Sequence, residues 1–254
     1  RFKLKKNFES FLEGKSITGV SRFSKYIILT LDYHKYCLIH LGMSGTLHLI
    51  KYNKKEKITN LSFYHSKILP KKHNHIKIKF SNFAIIYNDP RRFGFFKLLS
   101  SKEELKKYFK KFGPEAISSK FNFKYTKHRI LNKKKNIKSL LLDQNFVSGI
   151  GNIYANEILF DSKINPFKSS KNLSNKEISK LIKSSKLVLN LSIKFGGSSI
   201  RDFKNAKGIS GLFQNNFKVY NRENKNCVSK NCNGKITKTF ISNRSSFFCK
   251  FCQK

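Results

Sequence analysis

The segment CVSKNCNGKITKTFISNRSSFFCKFC, residues 227–252, carries four of the five cysteines in the chain. Cys227 and Cys232 are separated by four residues, Cys249 and Cys252 by two, and sixteen residues lie between the pairs. A tetrahedral Zn2+ bound by thiolates at about 2.3 Å needs four soft ligands delivered by two turns, and closely spaced cysteine pairs supply such turns. The intervening GKITKTFISNRSSFF has strand character and predicts a hairpin between two knuckles. Disulfides are the competing reading. Against them stand the lack of a secretory signal pattern at the first residues and an unpaired Cys37 inside a strand-like run. A catalytic thiol is disfavoured because the segment holds no histidine. Four protein ligands leave no open position for water, so the expected ion, one Zn2+, is structural. Cys37 reads as a small buried hydrophobe.

Around this segment the chain is strongly basic, with 53 Lys and Arg against 14 Asp and Glu, a formal net charge of +39. Such a field favours polyanions. Part of the lysine excess accompanies an abundance of Asn, Ile and Phe, as an AT-rich genome would give, but nucleic acid remains the favoured partner. No apolar run approaches the roughly 20 residues of a spanning helix, so no membrane role is expected. At 254 residues the chain is long enough to bury a large core without covalent staples.

The first part reads as strands. YIILTL (26–31), YCLIHLG (36–42) and TLHLI (46–50) are short and rich in β-branched and aromatic residues. HIKIKF (75–80) alternates, with Ile76, Ile78 and Phe80 on one face and Lys77 and Lys79 on the other. FAIIYND (83–89) follows after a Ser-Asn turn, and GFFKLLS (94–100) leads into a short amphipathic helix, SKEELKKYFKKF. GPEAISSKF (113–121) reads as an exit linker. The middle is helical: Ile137, Leu140 and Leu141 recur at helical spacing, as do Ile153, Tyr154, Glu157 and Ile158, with VSGIG (147–151) breaking the run between them. A third helix opens at Ser174, with Glu177 three residues on in a capping-box pattern, and stops at Gly196 and Gly197.

Four stretches together resemble the formamidopyrimidine-DNA glycosylase family: IHLGMSG (39–45), DPRRFG (89–94), GIGNIYANEILF (149–160) and the terminal cysteine segment. Any one alone is weak, but their order and separation span nearly the whole chain. The resemblance implies an α+β multidomain fold. It would comprise an N-terminal antiparallel β-sandwich (1–115, lacking its opening helix and first strand), a helix–two-turn–helix domain (116–213) and a β-hairpin zinc finger (214–254). It implies a base-excision repair enzyme, a DNA glycosylase with AP-lyase activity, that removes oxidised purines from double-stranded DNA. Such an enzyme is expected to work as a monomer in the bacterial cytoplasm, at the nucleoid.

The resemblance also assigns residues. Met43, Arg91 and Phe93 match the family's trio that fills the hole left by an extruded base, where apolar and cationic side chains must offset unstacking. Lys25 matches an active-site lysine that assists strand cleavage. Arg244 matches a zinc-finger arginine that grips phosphate and assists the last elimination, a task suited to its guanidinium fork. Asn152, in a glycine-tight turn between helices, matches a phosphate contact. His73, Lys133 and Lys138 match DNA-backbone or lesion-proximal positions. Residues 198–213 lie where the family keeps a loop over the everted purine.

Two departures stand out. The family's nucleophile is an N-terminal proline amine followed by glutamate, which attacks the sugar C1′ to form a Schiff base. The chain starts at Arg1 and has neither. A truncated record of a complete enzyme is the expectation, and the polypeptide as it stands is expected to be inactive. The four-residue spacer in the first cysteine pair, where the family usually has two, puts that knuckle's hydrogen bonds in question. The alternatives are a non-catalytic zinc-ribbon DNA-binding relative and an endonuclease VIII-type glycosylase acting on oxidised pyrimidines.

Overall fold

The computed structural model describes residues 3–52, 57–59, 70–198 and 211–254. The chain divides into two compact units, Arg1–Lys110 with Gly196–Leu212, and Lys111–Phe195 with Phe213–Lys254.

In the first unit a short helix, α1 (Phe8–Leu12), precedes strands β1 (Ile17–Phe23), β2 (Tyr26–Leu31), β3 (Lys35–His40), β4 (Thr46–Lys51), β5 (Lys57–Thr59), β6 (Asn74–Lys79), β7 (Phe83–Asn88) and β8 (Phe95–Leu99). Helix α2 (Lys102–Phe109) follows, with Ser101 accepting from the Glu104 N–H at its start. The strands form two four-stranded sheets, ordered β1-β2-β3-β8 and β5-β4-β7-β6. All neighbours are antiparallel. Successive side chains on a strand point to opposite faces. Cys37 and Ile39 of β3 therefore enter a core shared with Tyr87 of β7, Phe96 and Leu98 of β8, and Ile76 and Ile78 of β6. Tyr36 and Leu38 take the other face, under Leu105, Tyr108 and Phe109 of α2. This double burial is why YCLIHLG reads as an unbroken apolar run rather than an alternating one. Burial also pushes the Cys37 thiol up to about 12, which makes it an inert core residue.

The second unit holds α3 (Phe123–Ile130), α4 (Ile137–Leu142), α5 (Asn152–Asp161) and α6 (Asn175–Lys194), then the hairpin of β9 (Ile236–Ile241) and β10 (Arg244–Cys249). Phe121, Ile137, Leu141, Ile150, Ile158 and Leu181 are fully enclosed in its core. Helix α6 begins at the expected capping box of Ser174 and Glu177. The segment 113–121 is not a linker. Ala116 and Phe121 are buried in this core, and a Cβ at Gly113 would stand 2.1 Å from the Phe146 carbonyl oxygen. Its Gly, Pro and Ser content hid two apolar anchors.

A second cluster, Phe160 with Val219, Cys227, Ile236, Phe247 and Cys249, fastens the hairpin to the end of α5. Glu157 of α5 is buried and accepts the backbone N–H groups of Lys218, Val219 and Tyr220 at 2.9, 3.1 and 2.8 Å. Burial raises its pKa against the pull of these donors. The expected loop over the lesion, 198–213, falls mostly on residues 199–210, outside the described residues. Among the described residues no helix is long and apolar enough to cross a membrane.

Candidate nucleic-acid interface and metal centre

In the first unit the turn after β3 and the loop between β7 and β8 lie backbone against backbone. A Cβ at Gly42 would sit 2.6 Å from the Gly94 nitrogen, and one at Gly94 would sit 2.6 Å from the His40 carbonyl oxygen. Only hydrogen at both positions permits this approach, and Gly42 also has φ +70°. The contact brings together three expected site residues. Met43 is 72% exposed, which rules out a role as core filler. The Arg91 guanidinium lies over the Phe93 ring, 4.7 Å from its centroid, and Phe93 is itself exposed. Beneath them Asp89 is fully buried. Its Oδ1 accepts from Ser44 Oγ at 2.5 Å and Arg91 N at 3.2 Å; its Oδ2 accepts from Tyr87 Oη at 2.8 Å and Gly94 N at 2.9 Å. Burial works against the charge, but the donors of Ser44, Gly94, Tyr87 and Arg91 outweigh it and hold the carboxyl below its usual range.

Lys25 is exposed in the tight β1–β2 turn, after Ser24 at φ 53°. His40, at the end of β3, feels its charge: burial first, then Lys25, lowers the imidazole pKa. The Gly42 N–H donates to His40 Nδ1 at 3.1 Å, so the neutral ring carries its proton on Nε2. His73 is half-buried, and its carbonyl accepts the Asp89 N–H at 3.0 Å. A cavity of about 400 Å³ in this unit is lined by Lys3, His75, Tyr87, Asp89 and Arg92.

In the second unit all four Sγ atoms of Cys227, Cys232, Cys249 and Cys252 lie within 4.8 Å of one another. The Cys227–Cys252 and Cys232–Cys249 separations are 3.7 Å. A tetrahedral ion with 2.3 Å bonds spaces its sulfurs at about 3.8 Å, whereas a disulfide needs about 2.05 Å. The donor set fits a metal and not a pair of disulfides. The long first knuckle closes through Asn231 at φ 56°, with Ser229 N–H on Cys227 Sγ at 3.5 Å and Cys227 N–H on the Gly234 carbonyl at 2.8 Å. Buried Gln253 accepts from Cys249 N and donates to the Ile164 carbonyl, tying the second knuckle to the helical core.

Between α4 and α5, Gly149 has φ +99° and donates to Gln144 Oε1, and α5 begins at Gly151 without a side-chain cap. Asn152 and Lys138 converge on one acceptor. Asn152 Nδ2 donates to the Ser245 carbonyl at 3.0 Å; Lys138 Nζ donates to the same oxygen at 2.7 Å and to Ser246 Oγ at 2.6 Å. Lys138, expected at a DNA-backbone or lesion-proximal position, has no exposed surface. Burial, and then the nearby Arg244, lower its pKa to about 8. Arg244 itself is exposed at the start of β10. With Lys135, Asn136, Ser139 and Ser242 it lines a cleft of about 350 Å³. Lys133 is exposed, on a segment whose carbonyls at 133 and 135 are held by buried Ser170.

Two family models match the chain, the formamidopyrimidine-DNA glycosylase N-terminal domain over residues 1–96 and the formamidopyrimidine-DNA glycosylase H2TH domain over 112–204. The formamidopyrimidine-DNA glycosylase of Wolbachia pipientis wMel is 40% identical over 254 residues, covering 100% of this chain and 88% of that protein. The Roseobacter denitrificans protein of the same name is 39% identical over 245 residues, 96% and 84% of the two chains. The chain belongs to the formamidopyrimidine-DNA glycosylase family. Solved structures agree. The Lactococcus lactis Fpg complex with DNA containing an abasic site aligns with a TM-score of 0.83 at 34% identity, covering 97% of this chain and 86% of that one. A variant of that protein bound to DNA containing Fapy-dG aligns with the same score and coverage.

Within this family member the structure adds residues the sequence did not single out. His40 stands in one of the quoted motifs yet reads as one more strand residue until its ring is seen beside Lys25. Asp89 and Ser44 flank the trio in sequence, but only the fold shows the hydrogen bond between them. Gln253 had no sequence signal beyond its place in the final knuckle.

Proposed function

We propose that the protein is a base-excision repair DNA glycosylase with AP-lyase activity that removes oxidised purines from double-stranded DNA. The observation that carries this reading is the exposed set of Met43, Arg91 and Phe93, gathered on two interlocked loops of a family member. An extruded base leaves an apolar hole with a polar rim, and a thioether, a ring and a guanidinium suit it. Lys25 and the Nε2–H of His40 offer a cationic and a neutral donor to the sugar-phosphate edge. Arg244 and Lys133 offer charges from the second unit, and the open N-terminus of α5 with Asn152 supplies oriented donors. Lys138 contributes by holding β10.

The ion is Zn2+, held by Cys227, Cys232, Cys249 and Cys252. It supplies a structural cross-link that fixes the hairpin bearing Arg244. The protein acts as a monomer on chromosomal DNA in the bacterial cytoplasm, a reading of which its relatives support the bacterial setting alone.

Competition binding on 8-oxoguanine, oxidised-pyrimidine and undamaged duplexes tests the substrate. Tightest binding to 8-oxoguanine is expected; a preference for the pyrimidine lesion would move the protein to the endonuclease VIII type. Borohydride trapping tests the chemistry. An extended version that carries the family's N-terminal proline should give a covalent adduct on an 8-oxoguanine duplex. Tight lesion binding without an adduct from the extended version would leave a binding protein only.

A further inference from the structure

We infer that Asp89 is a positioning residue that locks the Met43 turn and the Arg91–Phe93 loop into one rigid wedge, so that all three side chains enter the DNA together. The inference rests on the DNA reading above and deepens it. A wedge built from two loops has a weakness. Each loop alone could swing, and ordering both during binding would cost conformational entropy at the moment of insertion. Asp89 removes that cost in advance. One carboxylate oxygen holds Ser44, the residue after Met43, while the same oxygen and its twin hold the N–H groups of Arg91 and Gly94, which flank the second loop. Its own backbone is fixed from a third direction, by His75 Nε2 on its carbonyl at 2.8 Å and the His73 carbonyl on its N–H. Tyr87 completes the set at 2.8 Å. With four donors on its side chain and no exposed surface, Asp89 has no capacity left to touch DNA itself.

Among the described residues the Ser44 hydroxyl is the single side-chain link from the carboxylate to the Met43 turn, which makes it the clean place to cut. In Ser44→Ala, Asp89 keeps Tyr87, Gly94 and Arg91, so the fold should survive. Asp89→Asn is the harsher companion, since an amide cannot accept at both ends. Binding would be measured on a duplex bearing a tetrahydrofuran abasic analogue and on its undamaged counterpart, with 2-aminopurine opposite the analogue reporting insertion by its fluorescence. Ser44→Ala should lose about tenfold in affinity on the analogue and little on undamaged DNA, the size expected for one broken link in a coupled network. The 2-aminopurine response should weaken in step, with the free protein still unfolding cooperatively and its thermal midpoint lowered by only about a few degrees. Equal losses on both duplexes, or an unaltered fluorescence response, would overturn the inference and leave Asp89 as fold support. If the unmutated protein itself shows no preference for the analogue, the DNA reading fails instead, and the two failures are told apart.

Discussion

Lys138 Nζ and the Ser245 carbonyl oxygen meet at 2.7 Å, joining α4 to a hairpin strand 107 residues further along the chain. The ammonium is fully buried and next to Arg244, which explains its depressed pKa. A buried charge survives only when its hydrogen bonds are met, and here Ser245 and Ser246 meet two of three. Arg244 follows the tip of this hairpin, so Lys138 and Asn152 set its footing from beneath.

Lys138→Met should therefore act through stability and not through phosphate. Loss of the donor leaves Ser246 Oγ with only its own bond to the Arg244 carbonyl and removes one of the two donors on the Ser245 carbonyl, for a cost of about 1–3 kcal/mol by urea denaturation. The salt dependence of DNA binding should keep its slope, whereas Arg244→Ala should lower it by about one. The pH response supplies a second check. Because the folded pKa, about 8, lies below the unfolded value, the unfolded chain binds more protons between pH 8 and roughly 10.5. The wild type should thus gain stability relative to Lys138→Met as pH rises through that window.

This lysine also marks where sequence reading ends. Among 53 basic residues, nothing local separates a buried lysine from a solvated one; its acceptors are a carbonyl and a hydroxyl on a distant strand. The alternation in HIKIKF was legible because a two-residue period is a local property, and Ile76 and Ile78 do enter the sandwich core. The edge strand β1 was not, since ITGVSRF is largely exposed and carries no apolar face to announce it. The exposed trio was legible as a motif, while the carboxylate beneath it required the fold.

Metal removal should separate the two cores of the second unit. The cysteine cluster packs with Phe160, Val219 and Phe247, apart from the helical core around Phe121 and Leu181. Purified protein should carry close to one equivalent of zinc, released with a thiol-reactive mercurial and read with a colorimetric chelator. Once stripped, it should keep most of its helical circular dichroism but lose DNA affinity, because β10 no longer presents Arg244. Parallel loss of both signals would show that the ion sustains the whole unit.

Salt should dominate affinity on any duplex. If about six phosphates are contacted, binding should fall about a thousandfold between 50 and 200 mM salt. The measurement is a titration series on undamaged DNA. A flat response would make the net charge of +39 a matter of composition rather than of DNA contact.

Arg91 and Phe93 should divide their effects differently from Arg244. The guanidinium lies on the Phe93 ring, so it is pre-oriented and partly shielded from water before any DNA arrives. Arg91→Ala removes a cation from a wedge, and its loss should be greater on a lesion duplex than on undamaged DNA. Phe93→Ala should show the same selectivity, since an exposed ring has little packing to lose in the free protein. Arg244→Ala should weaken both duplexes alike, as a phosphate contact reads no base. Fluorescence anisotropy on the two duplexes resolves these patterns, and an equal loss for Arg91→Ala on both would reduce that residue to a backbone contact.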